Sequence, residues 1–257
     1  MTAIWRSDLY RLGKSKLLYA ITAVTCCIAL FLVFLMRLDF RLGISIFGEL
    51  TAFKGVNDII GMGLTYQKGL GIFIAILISV FIGQEYQWQT WQHKWMTSKN
   101  RSCIYLSKAA HSAKASAAIF LLFQLVALLG SGRMRELLSL DYGSQMISGV
   151  FIYGALGTVI CMLAMLFKSN TASVIGCLGY VLLGEMAASL ARNLSSFSDS
   201  AATLVEWVIQ HSIYGMSTLA SSASFSSGLA PGIIINALAI MLVSTVISLF
   251  LFRRYEL

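Results

Sequence analysis

Residues 85–108 read E-Y-Q-W-Q-T-W-Q-H-K-W-M-T-S-K-N-R-S-C-I-Y-L-S-K, a polar and basic stretch pinned between two apolar runs. Residues 69–83 precede it and residues 112–130 follow it. Each flank is about long enough to cross a hydrocarbon core of roughly 30 Å. The stretch therefore lies at one membrane face. Lys94, Lys99, Arg101 and Lys108 bias that face to the cytoplasm, because Lys and Arg near span ends are retained inside. Trp88, Trp91 and Trp95 recur at helical spacing, which predicts an amphipathic helix along the interface, open to a soluble partner.

The rest of the chain makes these runs membrane spans. Apolar residues are 58% of the 257, with a single proline, and mean hydropathy is +0.78. A soluble core has no use for so much apolar surface. The expected fold class is all-α: one polytopic membrane domain over residues 1–257, with six transmembrane helices and an N-terminal interfacial helix. The spans are expected at about 17–36, 69–83, 112–130, 145–167, 172–191 and 233–252. Ile4, Trp5, Leu9 and Leu12 follow helical spacing among Arg6, Arg11, Lys14 and Lys16, which predicts the interfacial helix over 1–16. No cleavable signal peptide is evident, so the first span is expected to stay as an anchor. Residues 37–68 leave room for a short helix outside, with glycines at Gly61 and Gly63. Residues 204–214 read as an amphipathic helix on the outer surface or as a folded-over plug.

Six spans put both termini on one side, and charge selects the side. With the N-terminus inside, Arg6, Arg11, Lys14, Lys16, Lys94, Lys99, Arg101, Lys108, Lys114, Lys168, Arg253 and Arg254 are cytoplasmic, twelve of the 19 Lys and Arg. Among the acids, only Asp8, Glu85 and Glu256 join them there. The net charge of +8 thus punctuates the spans and does not form one basic face, which argues against a nucleic-acid partner.

Residues 85–108 resemble the cytoplasmic loop of ABC-2-type permeases, the membrane subunits of one class of ABC exporter. The family pattern has a Glu, a Gly-Thr four and five residues on, a Pro-x-Ser-Arg, and a Lys seven residues after the Arg. Glu85, Thr90, Arg101 and Lys108 fall in register without a gap. Gln89 stands at the Gly position and Ser98 at the Pro position, so the residues favouring the loop's tight turns are absent. The resemblance implies a coupling helix here, with Glu85, Trp88, Thr90, Trp91, Trp95, Arg101 and Lys108 as the ATPase-coupling residues. It further implies a dimer of permease chains, identical or related, with cytoplasmic ABC ATPase subunits that hold the ATP and Mg. This chain itself would carry no cofactor and would not be an enzyme. The T-S-x-x-R-S-x-x-Y-L-S-K pattern looks most like permeases of bacterial antimicrobial-peptide systems, including lantibiotic immunity transporters and exporters of amphipathic peptides such as phenol-soluble modulins. That implies a bacterial plasma membrane, both termini cytoplasmic.

Few residues invite chemistry of their own. Gly13-Lys14-Ser15 resembles the end of a phosphate-binding loop, but Asp8 stands where its first glycine belongs and no strand precedes it. Glu185 is the one ionisable residue well inside an expected span. It is read as a polar contact on a substrate path, as a residue nearer the outer interface, or as a protonated group bonded to a neighbouring span. Gln124 and Asn236 are weaker substrate-path candidates, since amides also serve as interhelical glue. His93, His111 and His211 are scattered without ligand spacing, and the serines of 221–227 read as a solvated loop. Cys26, Cys27, Cys103, Cys161 and Cys177 form no CxxC motif and read as small apolar fillers. Glycines at 154, 157, 176, 179 and 184 predict close helix packing. Two other classes stay open. A secondary transporter would show coupled ionisable residues at mid-membrane, where only Glu185 fits. A membrane-embedded enzyme would show a nucleophile or paired carboxylates, and no GxSxG is present.

Overall fold

A computed structural model describes residues 2–37, 44–46, 49–51, 56–90, 101–132, 140–195, 199–222 and 225–254. In chain order the helices are α1 (Thr2–Gly13), α2 (Lys16–Arg37), α3 (Val56–Leu64), α4 (Leu70–Gln87) and α5 (Arg101–Ser131). They continue as α6 (Leu140–Leu166), α7 (Asn170–Ser195), α8 (Asp199–His211), α9 (Ile213–Ser221) and α10 (Ala230–Arg254). Two three-residue strands, β1 (Ile44–Ile46) and β2 (Glu49–Thr51), pair antiparallel with Ile44 opposite Thr51. Among the described residues, α2, α4, α5, α6, α7 and α10 are long and apolar enough to cross a membrane, so the chain is a multi-pass all-α membrane protein.

The helices stop where the backbone turns left-handed. Gly132 (φ 75°) ends α5, Lys168 (φ 49°) separates α6 from α7, and Gln89 (φ 53°) follows α4. Gln89 holds the conformation that glycine favours, so this turn forms without the glycine.

The bundle is built round α6, which packs against α4, α5, α7, α9 and α10. Ile152, Tyr153, Leu156, Ile160 and Cys161 on it are wholly buried. Close approach needs small residues at two crossings. A Cβ on Gly157 would stand 2.7 Å from the Ser112 carbonyl oxygen of α5, and one on Gly83 would stand 2.8 Å from Asn170 Cα of α7. By contrast, Phe31 and Phe34 of α2, Leu182, Leu183 and Met186 of α7, and Leu242, Val246 and Phe250 of α10 are exposed. Apolar faces that broad are suited to lipid.

The structure adds detail to three expectations. The helix that carries the third span opens at Arg101, and in its first turns Lys108 is buried among partners on other helices. The 37–68 segment does carry a short helix, α3, which packs against α5 and α9 with Ile59, Ile60 and Leu64 buried. Residues 204–214 divide between both readings. Leu204, Trp207 and Val208 of α8 are exposed, whereas α9 folds over the bundle and buries Ile213 and Met216 against α3 and α6.

Two ends can be told apart by the chain's alternation. Residues 14–16, 87–90, 101 and 167–170 lie at the loop end; residues 66–70, 131–132, 140, 195, 199–222 and 225–229 lie at the far end.

Candidate functional site

At the loop end three helices converge on four charged side chains. On α1, Trp5, Asp8 and Leu12 are three and four residues apart and share one face. The last turns of α4 present Phe81 and Glu85 one turn apart, and the first turns of α5 present Ser107, Lys108 and His111. Lys108 Nζ donates to Asp8 Oδ1 at 2.8 Å and also bonds Glu85 Oε1. Ser107 Oγ donates to Asp8 Oδ2 at 2.8 Å. Arg11 bonds both Glu85 Oε1 and the Phe81 carbonyl. The Arg11 guanidinium and the Lys108 ammonium each lie 4.3 Å from the centre of the Phe81 ring. Farther along the same seam, Trp5 packs on His111 at 5.3 Å between ring centres, and Lys114 lies 5.4 Å from the Trp5 ring.

Asp8, Glu85 and Lys108 have no exposed surface at all. Burying a charge is costly unless its partners restore what water supplied. Among the described residues the cluster brings two acids against two bases, and each buried charge has at least one opposite charge in contact. Such a cluster is stiff: moving any one helix strands a buried charge on another. It therefore clamps α1 to both roots of the 88–100 segment.

The segment's first root is held elsewhere too. Thr90 Oγ1 donates to the Glu85 carbonyl at 3.3 Å, Asn170 Nδ2 donates to Gln87 Oε1 at 3.2 Å, and Tyr86 Oη donates to the Met165 carbonyl at 3.4 Å. Just beyond the clamp Trp88 is 68% exposed.

The residues singled out from sequence thus separate by depth. Glu85 and Lys108 meet in the clamp, beneath the surface, and Thr90 is half-buried. Arg101 opens α5. Trp91 and Trp95, and with them most of the expected coupling helix, lie outside the described residues. Asp8 and Arg11 complete the cluster, and sequence reading had placed both in an interfacial helix only. Their one signal is the i, i+3 spacing of opposite charges facing the bundle, which does not say what the bundle offers them.

Glu185, Gln124 and Asn236 do not form a common site. Gln124 is wholly buried on α5 and donates to the Ile60 carbonyl of α3 at 3.1 Å, as an interhelical tie. Asn236 is half-buried on α10. Glu185 is exposed on α7, flanked by the exposed Leu182, Leu183 and Met186. It lies fifteen residues beyond Asn170, about 22 Å at 1.5 Å per residue, and so toward the far end. Among the described residues no group of His, Cys, Asp and Glu is arranged to hold a metal. Cys103, Cys161 and Cys177 are buried, as small apolar fillers are, whereas Cys27 is exposed.

No protein-family model matches this chain, and the search of curated proteins finds no matching relative.

Proposed function

We propose that this chain is the permease subunit of an ABC-2-type exporter in a bacterial cell membrane, with its termini and the 88–100 segment in the cytoplasm. Separate ATPase subunits seat on that segment, a second permease chain completes the pore, and amphipathic or antimicrobial peptides are the cargo. The observation that carries this reading is the buried clamp at the root of the segment. Glu85 and Lys108, two of the four positions in register with the family loop, form an ion pair that ties α4 to α5. Asp8 and Arg11 extend the tie to α1. Force applied at 88–100 is then delivered to three helices at once, which is what a coupling element requires. The left-handed turn at Gln89, where the family has glycine, also supports it.

The test is co-expression with an ABC ATPase subunit, sought first in the reading frames beside this one. The chain alone turns over no ATP, and affinity-purified chain recovers the ATPase; Trp91→Asp with Trp95→Asp weakens that recovery. Cysteines introduced at Ser98 and Ser169 are shielded from an impermeant thiol reagent added outside, and those at Ser139 and Ser198 are labelled. Labelling at Ser98 from outside, or ATP turnover by the chain alone, sinks the assignment.

Glu185 is proposed as a cargo contact, since its side chain leaves the protomer from an apolar face. Glu185→Gln keeps the shape and removes the charge, so it should assemble normally and export cationic peptide poorly. Wild-type export at equal complex levels removes Glu185 from the path.

A further inference from the structure

Helices α1, α2 and α5 hold a single acid among them, Asp8, and it is wholly buried. Its carboxylate is taken up by Lys108 and Ser107, each at 2.8 Å. The outward surface of these three helices therefore carries positive charge alone. Arg6 of α1, Lys14 just past its end, Lys16 of α2 and Lys114 of α5 are all exposed. Among the described residues none of the four makes an ion pair. Arg6, Tyr10 and Lys14 are spaced four apart and share one stripe, with the Lys14 ammonium 5.9 Å from the centre of the Tyr10 ring.

Lys114 is the most constrained of the four. It stands seventeen residues before Ser131, the far end of α5, or about 26 Å at 1.5 Å per residue. Counted from there, a hydrocarbon core of roughly 30 Å ends close to Lys114. A lysine exposed at that level is unfavourable in hydrocarbon, and its flexible stem carries the ammonium to the headgroups. The ammonium lies 5.4 Å from the Trp5 ring, which is itself packed on His111 at 5.3 Å between ring centres. The Asp8–Lys108 pair pins α1 one turn away, so the ring is held in place. Trp is a side chain that settles at the headgroup level. Arg6 follows Trp5 in the chain, so two cations without an ion pair adjoin one interfacial ring.

The surroundings name the occupant. Leu9, Tyr10 and Tyr19 are exposed beside these cations, and the face runs on into Phe31 and Phe34 of α2, which are exposed to lipid. A zwitterionic headgroup brings its own ammonium and leaves a purely basic face uncompensated, whereas a net-negative headgroup neutralises it. We infer that this face binds an anionic phospholipid of the leaflet at the loop end, its phosphate held by Lys114 and Arg6 beside Trp5. The buried clamp makes the site possible, because it removes from the surface the one acid that would repel the headgroup. The inference does not rest on the transport reading, and its test needs no ATPase.

The full chain, purified in detergent, is offered phosphatidylglycerol and phosphatidylcholine in equal amounts, and bound lipid is weighed by native mass spectrometry. Phosphatidylglycerol should be retained in preference. Lys114→Gln and Arg6→Gln should each lower its retention about fivefold, the worth of one basic residue at an anionic surface. Both side chains are exposed, so neither change threatens the fold. Lys114→Arg keeps the charge and should keep the lipid. Lys168→Gln removes one charge at the same end of the bundle, in the α6–α7 turn, and should leave retention unchanged. Equal retention of the two lipids overturns the inference. So does an equal fall for Lys168→Gln and Lys114→Gln, which would mean attraction to net charge without a site. A change in the proportion of dimer on Lys114→Gln, with bound lipid unaltered, makes the face an interface between copies and overturns it as well.

Discussion

At the loop end, three buried ties between helices are pairs of charged side chains: Asp8 with Lys108, Lys108 with Glu85, Glu85 with Arg11. Toward the far end, the buried ties given by Tyr153, Gln124 and Gln145 are neutral groups donating to backbone carbonyls. Tyr153 Oη bonds the Gly63 carbonyl at 2.6 Å, Gln124 bonds that of Ile60, and Gln145 Nε2 bonds that of Ala220 at 3.1 Å. The two modes differ in what a movement costs. A neutral hydrogen bond to a carbonyl can be exchanged for another or for water, at a net of about 1 kcal/mol. A buried charge parted from its partner is far more expensive. The loop end should move as one piece, and the far end can repack helix by helix. On the proposed transport reading, the first end would receive force and the second would open.

The largest expected effect is at the clamp. Lys108→Met leaves Asp8 and Glu85 buried with one cation fewer between them, and should destabilise the protein by about 3–5 kcal/mol. Thermal unfolding in detergent measures it. Combining it with Asp8→Asn should recover part of the loss, because one stranded charge is removed; purely additive losses would argue against a shared network.

A smaller effect tests the other end. Tyr153→Phe deletes a single hydroxyl whose acceptor is a backbone carbonyl, while its ring stays stacked on Phe120 with centres 4.7 Å apart. The expected cost is about 1 kcal/mol, the net of one hydrogen bond. If the Phe variant loses as much stability as Lys108→Met, the two ends are not built differently after all.

The smallest effect has the opposite sign. Gln89 occupies a left-handed backbone well just past the clamp. Gln89→Gly relieves that conformation and should raise stability by no more than about 1 kcal/mol, reduced by the glycine's greater freedom when unfolded. A loss of stability would mean that the Gln89 side chain holds the turn.

How far the sequence could be read depended on what each feature needs. The six spans were legible because a lipid-crossing helix needs only length and apolarity, both properties of one stretch of chain. That the third helix runs on to Arg101 was not legible, for the same reason turned round. Lys108, His111, Ser112 and Lys114 looked like a water boundary, since a stretch read alone cannot know that Asp8 and Glu85 will neutralise its lysine.

Composition and hydropathy by themselves determined that this chain is a helical membrane protein, and charge near the span ends supplied an expected orientation, because those forces act between each segment and its solvent. Only the tertiary structure decided which charges are buried together, that Gln124 ties α5 to α3, and that Gly157 lets α6 approach the Ser112 backbone of α5. Those depend on pairs such as Asp8 and Lys108, a hundred residues apart in sequence and 2.8 Å apart in space. A pairwise term of that kind is absent from either stretch alone, since a buried ion is stable only beside its partner.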